Sequence, residues 1–197
     1  MSKYFLLSIL FSTIVFTSGC FSSENSKTAN SENPKKLNQN IDPQQYYLKK
    51  SDFQLPDIKE VQQKSRNKNF KDPVFIKSGG IHTGFKIWKS KSFIIIDTRY
   101  IFKTAQGVQS FYKNKNKTIT EGFKQYSQQD CPLKNCKIYY NTLEHPKLDI
   151  TLKGLLYVFH DKSIIYKVFA ASENTFSSLK PLLQQLVLKL TPKKRRK

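Results

Sequence analysis

"GLLYVFHDKSIIYKVF", residues 154–169, decides the fold. Two apolar runs rich in β-branched and aromatic residues flank Asp161-Lys162, which is the pattern of two buried strands joined by a tight turn. It predicts an antiparallel hairpin that turns across His160 to Ser163. Upstream, "KIYYNTL" (137–143) and "LDITL" (148–152) have the same strand character, with "EHPK" (144–147) and "KG" (153–154) as turn-like breaks. Downstream, Leu179, Leu182, Leu183, Leu186, Val187 and Leu190 recur at helical spacing, with Ser178 placed to cap the helix and Pro181 tolerable in its first turn. A sheet needs an apolar cover, so this stripe is expected to face the core.

The first half of the domain is read the same way. "PVFIK" (73–77) is expected as a short strand and "SGG" (78–80) as a turn. "IHTGFKIWK" (81–89), "SFIIID" (92–97) and "TRYIFK" (98–103) supply further strands, the last two continuous or separated by a bend. Thr104 is placed to cap a helix with Val108, Phe111 and Tyr112 on one face. Ile119, Phe123 and Tyr126 repeat that spacing, while Lys113, Lys115 and Lys117 fall on the outer side. Gly122 interrupts any single continuous helix. Between Tyr46 and Phe70, Pro56-Asp57 is expected to open a short helix with Ile58 and Val61 on one face.

Strands, helix, strands and helix define an α+β domain whose antiparallel sheet is covered by two main helices. The arrangement of "FKTAQGVQSFYK" (102–113), the late hairpin and the Leu-rich closing helix resembles the PsbP-like fold of photosystem extrinsic proteins, over roughly residues 73–190. The resemblance is one of topology. It implies the α+β fold and carries no residue roles.

The chain has 197 residues, 38% of them hydrophobic, with 15 Phe and 10 Tyr, enough for one ordinary core and not for two. Its start has another purpose. Lys3 precedes an apolar run from Tyr4 to Phe16, and Thr17-Ser18-Gly19 gives the small residues of a signal-peptidase site. The run is well short of the roughly 20 apolar residues that span a bilayer. "FTSGCFSS" (16–23) resembles the lipobox of bacterial lipoproteins, matching it at Ser18-Gly19-Cys20 and departing from it at Thr17, where Leu is usual. That resemblance implies that Cys20 becomes the acylated first residue of the mature chain. It places the protein in the bacterial envelope, on the outer membrane. Several acyl chains at about 0.8 kcal/mol per buried methylene make such an anchor nearly permanent.

Three cysteines, Cys20, Cys131 and Cys136, are an odd number for an exported protein. With Cys20 acylated, "CPLKNC" is free to close a short disulfide between Cys131 and Cys136 in an oxidising compartment. The alternatives are two reduced thiols, a redox dithiol or half of a zinc site. The spacing is not C-x-x-C, and no second Cys or His pair accompanies it.

Catalytic motifs are thin. His82, His145 and His160 share no metal-ligand spacing and read as surface or strand-edge residues. Asp97 and Arg99, one residue apart, fall on one strand face as a structural ion pair. There is no Walker loop, dinucleotide fingerprint or G-x-S-x-G, and no cofactor or metal is expected. The net charge of +20 directs attention to anionic partners; Lys and Arg are spread through the tether and the domain and then cluster in a tail containing Lys193, Lys194, Arg195, Arg196 and Lys197. In an exported chain such a tail reads either as a solvated, disordered end or as a contact for anionic lipid or polysaccharide, and not for nucleic acid. The aromatic residues follow core spacing and do not build a base-stacking platform.

The expected organisation is a lipoprotein signal peptide (1–19), a disordered tether (20–50), a loosely docked lead-in (51–72), an α+β domain (73–191) and a basic tail (192–197). Polar composition from 21 to 45 motivates the tether, whose reach is roughly 30 Å over about thirty residues. The function expected is that of a membrane-anchored, non-enzymatic binding or envelope-organising module. A basic adhesin or polyanion binder and an exported hydrolase are the alternatives, and the sequence does not set the oligomeric state.

Overall fold

The computed structural model describes residues 42–66, 71–126, 131–133, 136–145, 150–173 and 176–190. The signal segment, Cys20, the first part of the tether and the basic tail lie outside the described residues. So does the Lys134-Asn135 turn.

Seven strands form one antiparallel sheet: β1 (Lys59–Arg66), β2 (Gly80–Lys89), β3 (Ile94–Phe102), β4 (Lys124–Gln125), β5 (Cys136–His145), β6 (Ile150–Asp161) and β7 (Ile164–Ser172). Their spatial order is β1-β2-β3-β7-β6-β5-β4. The hairpin β6–β7 is the one expected from the opening stretch, with Asp161 paired to Ile164. The pairing of β3 with β7 joins it to the first-half hairpin, setting Asp97 opposite Val168 and Arg99 opposite Tyr166. Three helices accompany the sheet: α1 (Pro73–Lys77), α2 (Ala105–Ile119) and α3 (Phe176–Leu190).

Alternation along β3 divides the core into two layers. Ile95 and Ile101 face the same side as Tyr166, Val168 and Ala170 of β7 and Leu155, Tyr157 and Phe159 of β6. That side is covered by Leu179, Leu183, Leu186 and Val187 of α3. The other side carries Tyr100 and Phe102, against which Phe75 of α1 and Phe111 of α2 pack at ring separations between 5.2 and 6.3 Å. The sheet is therefore covered by helices on both faces.

Several expectations are corrected. "PVFIK" is helix and not strand, because Asp72 caps it: its carboxylate accepts the N–H groups of Val74 (2.9 Å) and Phe75 (3.1 Å), and Pro73 suits the first turn. Pro56-Asp57 forms a turn into β1 and opens no helix. "KG" at 153–154 is the interior of one continuous strand, β6, and "EH" belongs to β5. Helix α2 is capped by Thr104, whose Oγ1 accepts the Gly107 N–H at 3.1 Å, and it stops at Ile119, so Phe123 and Tyr126 lie beyond it. Helix α3 begins at Phe176, before the expected cap at Ser178, which places Pro181 inside it. The two-residue strand β4 was not anticipated.

The packed unit also reaches further toward the N-terminus than composition indicates. Residues 42–58 form a strap with two 3-10 turns, Pro43–Tyr46 and Lys50–Asp52. Leu48 and Ile58 are fully buried, Tyr47 and Phe53 nearly so, and Phe53 packs on Trp88 at 4.8 Å between rings. Tyr47 and Leu48 of the expected tether, and Phe53 and Ile58 of the expected lead-in, are therefore core residues. "YYL" is an apolar triplet within a polar stretch, and it docks on the same face as α3.

Candidate functional site

The most unusual chemistry of the described residues lies beneath this strap. Asp97 and Arg99 form an ion pair, Asp97 Oδ1 to Arg99 Nη1, with both side chains fully buried. Strand period two puts them on one face, as expected from sequence, and β3 holds them in the middle of the sheet. Three further contacts bind them to backbone. The Leu48 N–H donates to Asp97 Oδ2 at 2.7 Å, Arg99 Nε donates to the Tyr46 carbonyl at 2.9 Å, and Arg99 Nη1 donates to the Thr98 carbonyl at 2.8 Å.

Aromatic rings enclose the guanidinium. Arg99 Cζ lies 4.6 Å from the Tyr166 ring centre and 5.5 Å from that of Tyr47. Tyr166 in turn stacks on Phe159 at 4.5 Å and 3°. Such cation–π contacts strengthen when water is excluded. The Tyr47 hydroxyl meets His82 Nε2 at 3.1 Å. Lys86 Nζ lies 5.9 Å from the Tyr47 ring and 5.8 Å from the Trp88 ring, and forms a 3.2 Å bridge to Glu60.

Burial dominates the electrostatics of this cluster. It pushes the Asp97 carboxyl above the usual carboxylate range, while Arg99, the Leu48 N–H and Lys86 pull it back. Burial also raises Tyr47, raises Tyr166 to about 12, and lowers His82. The cluster is built to hold a chain segment by opposite charges and backbone hydrogen bonds.

One of the three histidines departs from expectation. His82 is 2% exposed and not a surface residue. His160 is half-buried against Tyr112, 5.7 Å between rings. His82 pairs with Ile101, on the face of the strap, whereas His160 packs on α2 behind the sheet, so the two serve different layers. His145 closes β5. Among the described residues, no group of three or more His, Cys, Asp or Glu is placed to hold a metal ion.

Cys131 and Cys136 form a disulfide with a Cα–Cα distance of 5.9 Å. Cys136 starts β5 opposite Phe159 and is 5% exposed within the core. The bond therefore pins the chain's entry into the sheet. The roles of Cys20 and of residues 193–197 concern positions outside the described residues. Sequence reasoning found the Asp97–Arg99 pair but missed Tyr46, Tyr47 and Leu48 as its partners. The available signal was the "YYL" triplet.

The fold and this centre define an α+β unit with a strapped, charged core. No protein-family model and no curated protein matches the chain. Among solved structures, the extracellular domain of PknH from Mycobacterium tuberculosis superposes with a TM-score of 0.44 at 8% identity, covering 80% of this chain and 98% of that one. A likeness at that level carries no residue role across.

Proposed function

We propose that the protein is an exported, lipid-anchored envelope protein, held on the outer membrane through Cys20, whose sheet domain is a non-catalytic binding or organising module. The observation that carries this reading is the Cys131–Cys136 disulfide. A structural disulfide belongs in an oxidising compartment, and its formation leaves Cys20 as the single remaining thiol, at the lipobox-like position. The test is the unreduced intact mass of the protein recovered from host membranes. A chain beginning at Cys20, carrying acyl groups and two hydrogens lighter than the dithiol, is expected. A retained Met1 segment overturns the reading.

Contact with polyanions is a second reading, favoured by the exposed Lys113 and Lys117 on α2 and by the net charge of +20. Lys115 on the same helix is engaged with Asp72 at 3.1 Å. Retention on an immobilised anionic polysaccharide that weakens steeply with salt supports it, and salt-insensitive retention counts against it.

A further inference from the structure

The contacts beneath the strap are made to peptide backbone. Arg99 takes the carbonyl of Tyr46 and Asp97 takes the N–H of Leu48, the two polar backbone groups that flank Tyr47. An extended chain passing over this point offers the same two groups, so the pair recognises a backbone, and the pocket of Tyr47 selects the side chain between them. That pocket presents the Arg99 guanidinium and Lys86 toward the ring, and His82 at 3.1 Å toward the hydroxyl. Leu48 then enters the apolar core.

Stability alone is a weak reason for this design. A fully buried ion pair pays a desolvation penalty that well-packed apolar residues avoid, and its best-attested use is specificity or switching. The strap also leaves the site incompletely used, since Arg99 Nη2 is buried without a hydrogen-bond partner. Between the strap and β1, Pro56-Asp57 makes a turn, with Ile58 N–H on the Leu55 carbonyl at 3.2 Å. The strap is thus joined to the sheet through a turn and is neither helix nor strand over Tyr47–Lys49.

We propose that Asp97 and Arg99 form a binding site for an extended peptide, that Tyr46–Leu48 fills it in cis, and that its ligand in trans is a segment of another protein with an aromatic residue followed by leucine in the same register. This deepens the reading of the domain as a binding module by naming its ligand class. The cis segment competes at a high effective concentration, so the site is masked until the strap is displaced.

The test uses the full chain carrying Tyr47→Ala, which removes the strap's side-chain anchor and leaves Asp97 and Arg99 in place. The probe is a fluorescently labelled peptide of residues 42–52, DPQQYYLKKSD, followed by anisotropy. Saturable binding at least tenfold tighter to the variant than to the unaltered chain is expected. The same peptide with Ala at the position of Tyr47 should bind at least tenfold more weakly. Absence of binding to a cooperatively melting variant, or equal binding of both peptides, overturns the proposal.

Should Tyr47→Ala abolish the cooperative melt, hydrogen exchange at the Leu48 amide of the unaltered chain decides the matter. Excess unlabelled peptide is expected to accelerate that exchange about tenfold by displacing the strap, and an unchanged rate overturns the proposal. Neither readout depends on acylation of Cys20, so failure here and failure of the envelope reading are distinguishable.

Discussion

The Leu48 N–H donates to Asp97 Oδ2 at 2.7 Å, across 49 residues of chain. With the Arg99–Tyr46 contact at 2.9 Å, it ties a segment of irregular backbone to the middle of the sheet. Backbone groups buried outside regular structure need partners, and here two charged side chains supply them. The strap's docking and the burial of the ion pair are therefore one structural event.

Removing one member of the pair leaves the other charge buried and uncompensated, which costs about 3–5 kcal/mol. Asp97→Leu alone is expected to lose that much in chemical denaturation. The double change Asp97→Leu with Arg99→Met removes both charges but orphans the Tyr46 carbonyl and the Leu48 N–H, at about 1–3 kcal/mol for each group left unsatisfied. Asp97→Leu alone already orphans the Leu48 N–H, so the double variant exchanges a stranded Arg99 charge for one orphaned carbonyl and is expected to be the more stable of the two. A double variant as unstable as the single one would show that charge compensation is not what the pair provides.

His82 makes the strap sensitive to acid. Burial lowers its pKa below the ordinary value of 6.5, so between the lowered value and 6.5 the unfolded chain binds more protons than the folded one. Stability from this group is complete above pH 6.5 and declines as pH falls through that window. Melting temperatures measured from pH 7.5 to pH 5 should drop more steeply for the unaltered chain than for His82→Gln, which does not titrate.

The regular elements were legible where local and global signals agreed. The hairpin at 154–169 combines two apolar runs with a turn whose strands pair in sequence, and Thr104 announces α2 by its cap. "PVFIK" failed because a five-residue apolar run has no distinguishing period, although Asp72-Pro73 held the capping signal. Gly154 looked like a turn and is mid-strand; a Cβ there would overlap the ring of Phe169, a tertiary reason with no local trace. For the site, Asp97 and Arg99 were visible from their spacing of two. Their partner was not, because a polar composition concealed "YYL" and only long-range pairing brings it over β3.

Gly107 tests the seat of α2. In an open helix, replacing Gly by Ala stabilises by about 1 kcal/mol. At this position a Cβ would overlap the Ser78 carbonyl oxygen, a backbone atom at the corner between α1 and β2 that cannot rotate away. Gly107→Ala is expected to reverse the usual sign and destabilise by about 1–3 kcal/mol, read as a lower melting temperature. Unchanged or raised stability would mean that α2 shifts freely on the sheet.

Lys167 gives a second pH dependence, of the same origin but in an alkaline window, and on the opposite face from Tyr166. It is paired with Thr98 and Val158 in the sheet, and desolvation lowers its pKa from 10.5 to about 8. Between about pH 8 and 10.5 the unfolded chain holds a proton that the folded chain has released, so stability rises with pH across that window. Below about pH 8 both states are charged, and the folded state bears the full desolvation penalty. Lys167→Met removes that penalty while keeping an unbranched side chain of similar length. At pH 7 the variant is expected to be more stable by on the order of 1–3 kcal/mol, with the advantage shrinking steadily toward pH 10.5. Denaturation midpoints at pH 7, 9 and 10.5 measure the effect. A difference that stays constant across the three would assign it to packing, with the ammonium already in water.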